Sequence, residues 1–295
     1  MRQGGPLRAE ALAKVNRELR VGPRRADGYH EIRSRFVTVD LADVLEVRDA
    51  EAWEFSCAGG PDDESNLAAR AAAALAAAAG VDRRGSLSLV KRIPAGAGLG
   101  GGSADAAATL AILARLWDAS PAPERLSEIA ASIGSDVPYF LEGGEADVGG
   151  RGERVIARED DPPIDLTILV PPFPLATSEV YAAFDRAGGA ATPPARLAIE
   201  SSGRFLGPND LERAVVAVRP EMRDYLEAGR AIARECGVTG SGSAIVLVGA
   251  PPQAVADLVA RRPGTRALAT RTVGRVEYRR RTGISAPGPS VAARA

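Results

Sequence analysis

Between residues 11 and 49 apolar and polar side chains alternate, most regularly from Val37 to Val47. A period of two predicts half-buried β-strands, with turns expected at Gly22-Pro23 and Asp27-Gly28. The period then lengthens. Asn66 to Ala79 predicts a helix whose cap lies in the Asp62–Ser65 stretch. Ser86–Val90 is a short strand, and Ser103–Trp117 a helix with Leu110, Leu113 and Leu116 at helical spacing. Pro123–Ser132 predicts a third helix, followed by a loop, Ile133 to Pro138. The acidic, proline-bounded run Glu159 to Pro163 reads as a linker. Beyond it the pattern gives a strand at Leu166–Val170, helices near Ser178–Arg186 and through Leu211–Cys236 with a break at Pro220, a strand at Ala244–Val248 and a helix after Pro252. The end, from Gly283, is rich in Pro, Ser, Ala and Gly and predicts disorder. The expected architecture is α+β in two domains, 1–160 and 161–283, with a tail at 284–295.

Composition narrows the function. Net charge is −1 over 295 residues, so no overall field favours nucleic acid or an anionic membrane. No apolar run reaches the length of a bilayer. The two cysteines, Cys57 and Cys236, have no metal-binding spacing and suit a reducing, cytoplasmic setting. Of 37 basic residues only Lys14 and Lys91 are lysines. A chain that fills its generic basic positions with arginine keeps lysine where a compact, mobile ammonium is needed. The segment Arg261–Arg281, with eight arginines against one glutamate, holds one aromatic residue and reads as a solvated face, not as a nucleic-acid surface.

The strongest chemical signal is the run Lys91 to Thr109, where Gly96, Gly98, Gly100, Gly101 and Gly102 precede a helix expected from Ser103. Glycines let successive N–H groups converge on an anion, and a helix N-terminus adds partial positive charge. Ser103 could cap that helix or meet a phosphate or its metal. Asp105, placed in the first turn, suits the dipole. The P-loop pattern GxxxxGK[ST] is absent. Gly96, Gly98 and Gly101 fit the dinucleotide fingerprint formally, but residues 91–94 separate them from the preceding strand, and the acidic candidate, Asp118, ends a helix where the fingerprint wants the end of a second strand.

The stretch Pro94 to Ala107 resembles the central nucleotide motif of the kinase superfamily named for galactokinase, homoserine, mevalonate and phosphomevalonate kinases. Ala13 to Asn16 resembles its first motif, and Val238 to Val248 its third. Within the superfamily, Arg25 to Ile32, the loop Gly96 to Ala107 and Ile133 to Leu141 resemble the branch acting on a cytidine diphosphate-linked methylerythritol in the non-mevalonate isoprenoid pathway. Arg17, where that branch usually carries an apolar residue, and Ser103-Ala104, where Ser-Ser is commoner, depart from it.

The resemblance implies a two-domain α+β kinase of the galactokinase and homoserine kinase type, with its active site in the interdomain cleft, a monomer or homodimer. It implies phosphorylation of the substrate's 2-hydroxyl by ATP with Mg²⁺, the metal held mainly by ATP oxygens without a protein cage. Asp136 is then the base and Lys14 its partner. Pro94, Ala95, Gly96, Ala97, Gly98, Leu99, Gly100, Gly101, Gly102, Ser103 and Ala104 would hold ATP, with Lys91 and Asn66 as further contacts, although Asn66 is equally a candidate helix cap. Asn16, Tyr29, His30, Thr177 and Tyr181 would hold the substrate, with Tyr29 and His30 on the cytosine, and Gly240–Ser243 would support the phosphate loop. Asp136 is also a candidate cap for the turn before Val137-Pro138.

Overall fold

The computed structural model describes residues 5–189 and 203–284. All but the first residue of the expected disordered tail lies outside them. The alternating N-terminal stretch folds into two long antiparallel strands, β1 (Leu7–Arg24) and β2 (His30–Arg48). The turn expected at Gly22-Pro23 does not form. Both residues stay in β1, beside a register shift between Val21 and Arg24, and a proline is tolerated at such an irregularity. The Asp27-Gly28 turn does form, with Gly28 at φ +84°.

Successive parts of β2 pair with different strands. Ile32–Val37 pairs with β5 (Glu145–Gly150), Thr38 and Val39 with β10 (Arg266–Val273), and Val44–Arg48 with β4 (Gly85–Val90). Strand β3 (Trp53–Ala58) lies parallel to β4. Parallel neighbours need a crossover, and α1 (Leu67–Ala79) supplies it. On the other side β10 pairs with β7 (Asp165–Val170), β7 with β9 (Ile245–Val248) and β9 with β8 (Glu235–Val238). A short β6 (Arg154–Ala157) pairs with β5.

Two helical layers build two cores on this sheet. In the first, α1, α2 (Gly101–Leu116), α3 (Pro123–Ile133) and α4 (Val137–Glu142) bury Leu75, Leu110, Leu113, Tyr139 and Phe140. Alanine is the best helix former and the smallest side chain that still packs, so the alanine-rich α1 and α2 can both form readily and lie close together. The second core gathers Leu169, Val180, Val215, Leu226 and Leu258 from β7, α5 (Thr177–Arg186), α6 (Glu212–Val218), α7 (Met222–Ile232) and α8 (Pro252–Ala260). The helical reading of Leu211–Cys236 breaks at Pro220 as expected but ends at Ile232, and Cys236 lies in β8. Strand β1 enters both cores, contributing Ala9 and Leu12 to the first and Leu19 and Val21 to the second. Lys14 and Asn16 sit between them.

The arginine-rich segment is built into the fold. Its last helix, α9 (Arg275–Thr282), buries Tyr278 in the first core. The ring occupies the space over Gly143, where a Cβ would lie 2.1 Å from Tyr278 Cδ1. Arg271 pairs with Glu277, Arg275 and Arg279 both pair with Glu142, and Arg281 pairs with Glu10 and Asp40. Among the described residues no helix is long and apolar enough to cross a membrane.

Candidate active site

A cavity of about 820 Å³ opens where β1 passes between the two cores, a volume typical of small-molecule sites. The glycine-rich turn forms one wall. Gly96, Gly98 and Gly100 take φ of +65°, +78° and +74°, a left-handed conformation open to glycine at little cost. Between them Ala97 and Leu99 are buried and anchor the turn. Helix α2 begins at Gly101, with Gly100 at its cap position. Ser103 therefore lies inside the first turn and does not cap it. The turn's back rests on residues 239–244: Ala244 N–H donates to Ala97 O at 3.1 Å, and a Cβ on Gly98 would stand 2.4 Å from Thr239 O. The loop expected to support the phosphate loop does pack against it.

Lys14 is 3% exposed. Its backbone N–H donates to Leu99 O, so β1 and the glycine turn are stitched at this residue. Its ammonium donates to Asn16 Oδ1 at 2.6 Å, lies 4.5 Å from the Phe36 ring centroid and stands 3.7 Å from Asp136 Oδ2. Burial lowers the Lys14 pKa, and the Asp136 carboxylate opposes that shift. Asp136 precedes α4 but makes no side-chain capping bond, and its side chain is 29% exposed to the cavity. Its carboxylate is left for the lysine and for a ligand.

Asn16 orients the lysine. Its Nδ2 donates to Ser34 Oγ at 2.8 Å and its backbone N–H to Thr239 Oγ1 at 2.8 Å. One amide hydrogen remains for a ligand. Ser34 and Thr239 belong to this network although the sequence did not single them out. Thr239 was approachable because it adjoins the glycines at 240 and 242, whereas Ser34 had no local signal.

The second lysine has a different setting. Lys91 bonds the buried carboxylates of Asp43 and Asp105 beneath the start of α2. Asp43 also accepts from Arg92 N–H and, at 2.8 Å, from Ile93 N–H. Asp105 is 1% exposed and sits beyond the first turn, because the helix starts two residues earlier than expected. Burial pushes its carboxyl from the ordinary 3.8 up to about 7, with Lys91 opposing and Asp43 adding to the rise. The fold thus favours protonated Asp105, and this contribution is full below about pH 4 and lost as pH rises to about 7. In the Asp105→Asn variant that loss is absent. Its stability relative to the unmodified protein should rise between pH 4 and 7 by more than about 1 kcal/mol, read from thermal melting across that range. Parallel profiles would refute the assignment.

Asn66 caps α1, its Oδ1 accepting from Ala68 N–H at 3.0 Å and its Nδ2 donating to Pro61 O at 2.8 Å. It lines the cavity with part of its hydrogen bonding already committed.

The far wall is aromatic. Tyr29 is 50% exposed, with the Arg151 guanidinium 5.1 Å from its ring centroid. Arg151, which the sequence reading passed over, is tied by Nη2 to Ala131 O. His30 is buried, its Nδ1 2.8 Å from Gly22 O, and its ring lies 5.2 Å from Tyr181 and 5.9 Å from Phe184. Burial raises the Tyr181 phenol. Thr177, one turn before Tyr181, shares a hydrogen bond with Ser241 at 2.9 Å. Arg17 faces away from this cavity, pairing with Glu145 and Asp161 at 2.6 Å each and packing on Phe205.

The chain matches the GHMP kinases N terminal domain family over residues 66–144. The 4-diphosphocytidyl-2-C-methyl-D-erythritol kinase of Salinispora tropica is 39% identical over 265 residues, 83% of this chain and 84% of its own. That of Anaeromyxobacter dehalogenans is 44% identical over 229 residues, 73% of this chain and 72% of its own. A solved 4-(cytidine 5'-diphospho)-2C-methyl-D-erythritol kinase is 35% identical, with a TM-score of 0.76 over 91% of this chain and 100% of its own. The homoserine kinase of Cytophaga hutchinsonii, 17% identical with a TM-score of 0.64 over 93% of this chain and 96% of its own, shares the fold.

Proposed function

Because this chain belongs to the family of 4-diphosphocytidyl-2-C-methyl-D-erythritol kinases, we propose that Asp136 and Lys14 carry its transfer of a phosphoryl group from ATP to the substrate's 2-hydroxyl. One observation carries this reading: the Asp136 carboxylate stands 3.7 Å from a buried lysine without being spent on a helix cap. As the hydroxyl oxygen forms its bond to the γ-phosphorus, the bond to the β-phosphate oxygen breaks and Asp136 accepts the hydroxyl proton. Lys14, held by Asn16, keeps the carboxylate ionised and points an ammonium at the developing charge.

The turn 94–104 cradles the triphosphate with its N–H groups and the α2 N-terminus. Lys91 underpins that turn from its carboxylate pair, and Asn66 closes the nucleotide end of the cavity. Among the described residues no group of three or more His, Cys, Asp or Glu could hold a metal ion. A Mg²⁺ held mainly by phosphate oxygens and its own waters would need no such group, and the Ser103 hydroxyl, which lines the cavity, would be the protein oxygen offered to it. When bound, it would neutralise phosphate charge.

For the acceptor, Tyr29 and Tyr181 offer ring faces to the cytosine beside His30, and Thr177 and Asn16 offer polar contacts to the rest of the molecule. The two lobes meet near residue 160, with the site between them. Both cysteines are free, which supports a cytoplasmic setting. The test is ATP consumption by the purified protein with Mg²⁺ and 4-diphosphocytidyl-2-C-methyl-D-erythritol, with homoserine and mevalonate in parallel. Turnover is expected with the cytidine substrate alone. Turnover with either of the others would overturn the pocket given to Tyr29 and His30.

A further inference from the structure

Asp185 lies one helical turn beyond Tyr181 on α5 and brings a carboxylate to the edge of His30. Its Oδ1 stands 3.2 Å from His30 Nε2, both residues line the cavity, and the Asp185 side chain is 35% exposed. The histidine faces only one oxygen of this carboxylate, Oδ1, and leaves Oδ2 for another partner. Nδ1 faces the Gly22 carbonyl at 2.8 Å, and a carbonyl only accepts, so Nδ1 carries hydrogen. Nε2 is buried and, despite its proximity to Asp185, lacks the alignment of a hydrogen bond. The aromatic side chains of Tyr181 and Phe184 flank the same imidazole. A hydrogen-bond acceptor that bears charge and has capacity to spare is therefore fixed beside the ring surfaces of the pocket.

We propose that Asp185 determines specificity for cytosine over uracil, its carboxylate accepting a hydrogen bond from the base's exocyclic 4-amino group. The inference rests on the reading that Tyr29, His30 and Tyr181 hold the base. Cytosine presents an N4–H₂ donor at the position where uracil presents an O4 acceptor. An ionised carboxylate has no hydrogen to give, so it pairs with the amino group and opposes the carbonyl. The wrong base leaves a charged acceptor unpaired within the pocket, and the penalty falls on uracil alone. A carboxylate that served only to orient His30 would affect both bases alike.

Asp185→Asn separates these roles. The amide keeps the size and the oxygen but adds N–H donors that can meet O4. The experiment is calorimetric titration of the full chain with CDP and with UDP, the nucleotide site filled with a non-hydrolysable ATP analogue and folding checked by thermal melting. The unmodified protein is expected to favour CDP by roughly tenfold to a hundredfold. In Asp185→Asn the ratio should fall to within about threefold, through weaker CDP and stronger UDP binding. Asp185→Ala, which removes the acceptor without adding a donor, should weaken CDP and strengthen UDP only as far as relief of the opposing carboxylate allows, less than Asp185→Asn does. An unaltered CDP-to-UDP ratio in Asp185→Asn overturns the role of Asp185 and leaves the base pocket standing. No CDP binding by the unmodified protein overturns the pocket, and this inference with it.

Discussion

Asp136→Asn is expected to lower kcat by about 10²- to 10⁴-fold, the range that a positioned general base contributes. The amide keeps the shape of the carboxylate but cannot take the hydroxyl proton. ATP affinity should change little, since the glycine turn, Ala97, Leu99 and their supports at 239–244 are untouched. Lys14→Ala should fall in the same range, because it removes both the counter-charge of Asp136 and an ammonium at the reacting oxygens. The two losses should not add, since each side chain acts through the other across 3.7 Å. The Asp136→Asn change also withdraws the one charge that opposes the burial shift of Lys14, so the lysine pKa should fall further. Single-turnover rates with both substrates, beside an ATP titration, check this. Near-native rates in both variants would sink the assignment.

The second large effect is expected at Gly98→Ala. The new Cβ would stand 2.4 Å from Thr239 O and 3.2 Å from Gly242 O, at a φ of +78°. Both obstacles are backbone atoms, so no side-chain rotation relieves the clash. Either the glycine turn or the 239–243 turn must move, at a cost of about 1–3 kcal/mol or more, and the cradle proposed for the triphosphate would move with it. ATP affinity should drop at least tenfold, since about 1.4 kcal/mol suffices for that factor. Gly102→Ala makes the comparison informative. Its Cβ meets only Leu67 Cδ1 at 3.4 Å, an ordinary contact, and it lies in a helix. That variant should melt at or above the normal temperature. Equal destabilisation of the two would show that the backbone clash at Gly98 is not the cause.

The glycine turn was legible because its conformation is local: alternating positive φ angles need glycine, and the glycines stand together in the chain. Lys14 stood out for a compositional reason, and its meeting with Asp136, 122 positions later, followed from resemblance. Other parts were hidden because their cause is distant. Nothing near Asp105 announces that Asp43 and Lys91 will enclose it, so a buried carboxylate looked like a first-turn partner of the helix dipole. Strand β10 was missed because Arg266 and Arg271 interrupt its apolar pattern, and Arg271 finds its acidic partners, Asp40 and Glu277, on other elements. Tyr278 is buried because Gly143, on the far side of the sequence, leaves it room. Asn66 was readable both as a cap and as a nucleotide contact, and the structure shows the capping bond.

The passage of β1 through both cores bears on how the molecule comes apart. Leu19, Val21 and Ile32 complete a core otherwise made by residues beyond 160, while Val273, Tyr278 and Ile284 return to complete the first. Each core is therefore finished by chain from the other end of the sequence. Such reciprocal sharing couples the two cores, and one continuous sheet runs through both, so heat or denaturant has no easy seam along which to separate them. Melting is expected to be a concerted event in which Lys14, carried by the shared strand, keeps its neighbours until the whole fold gives way.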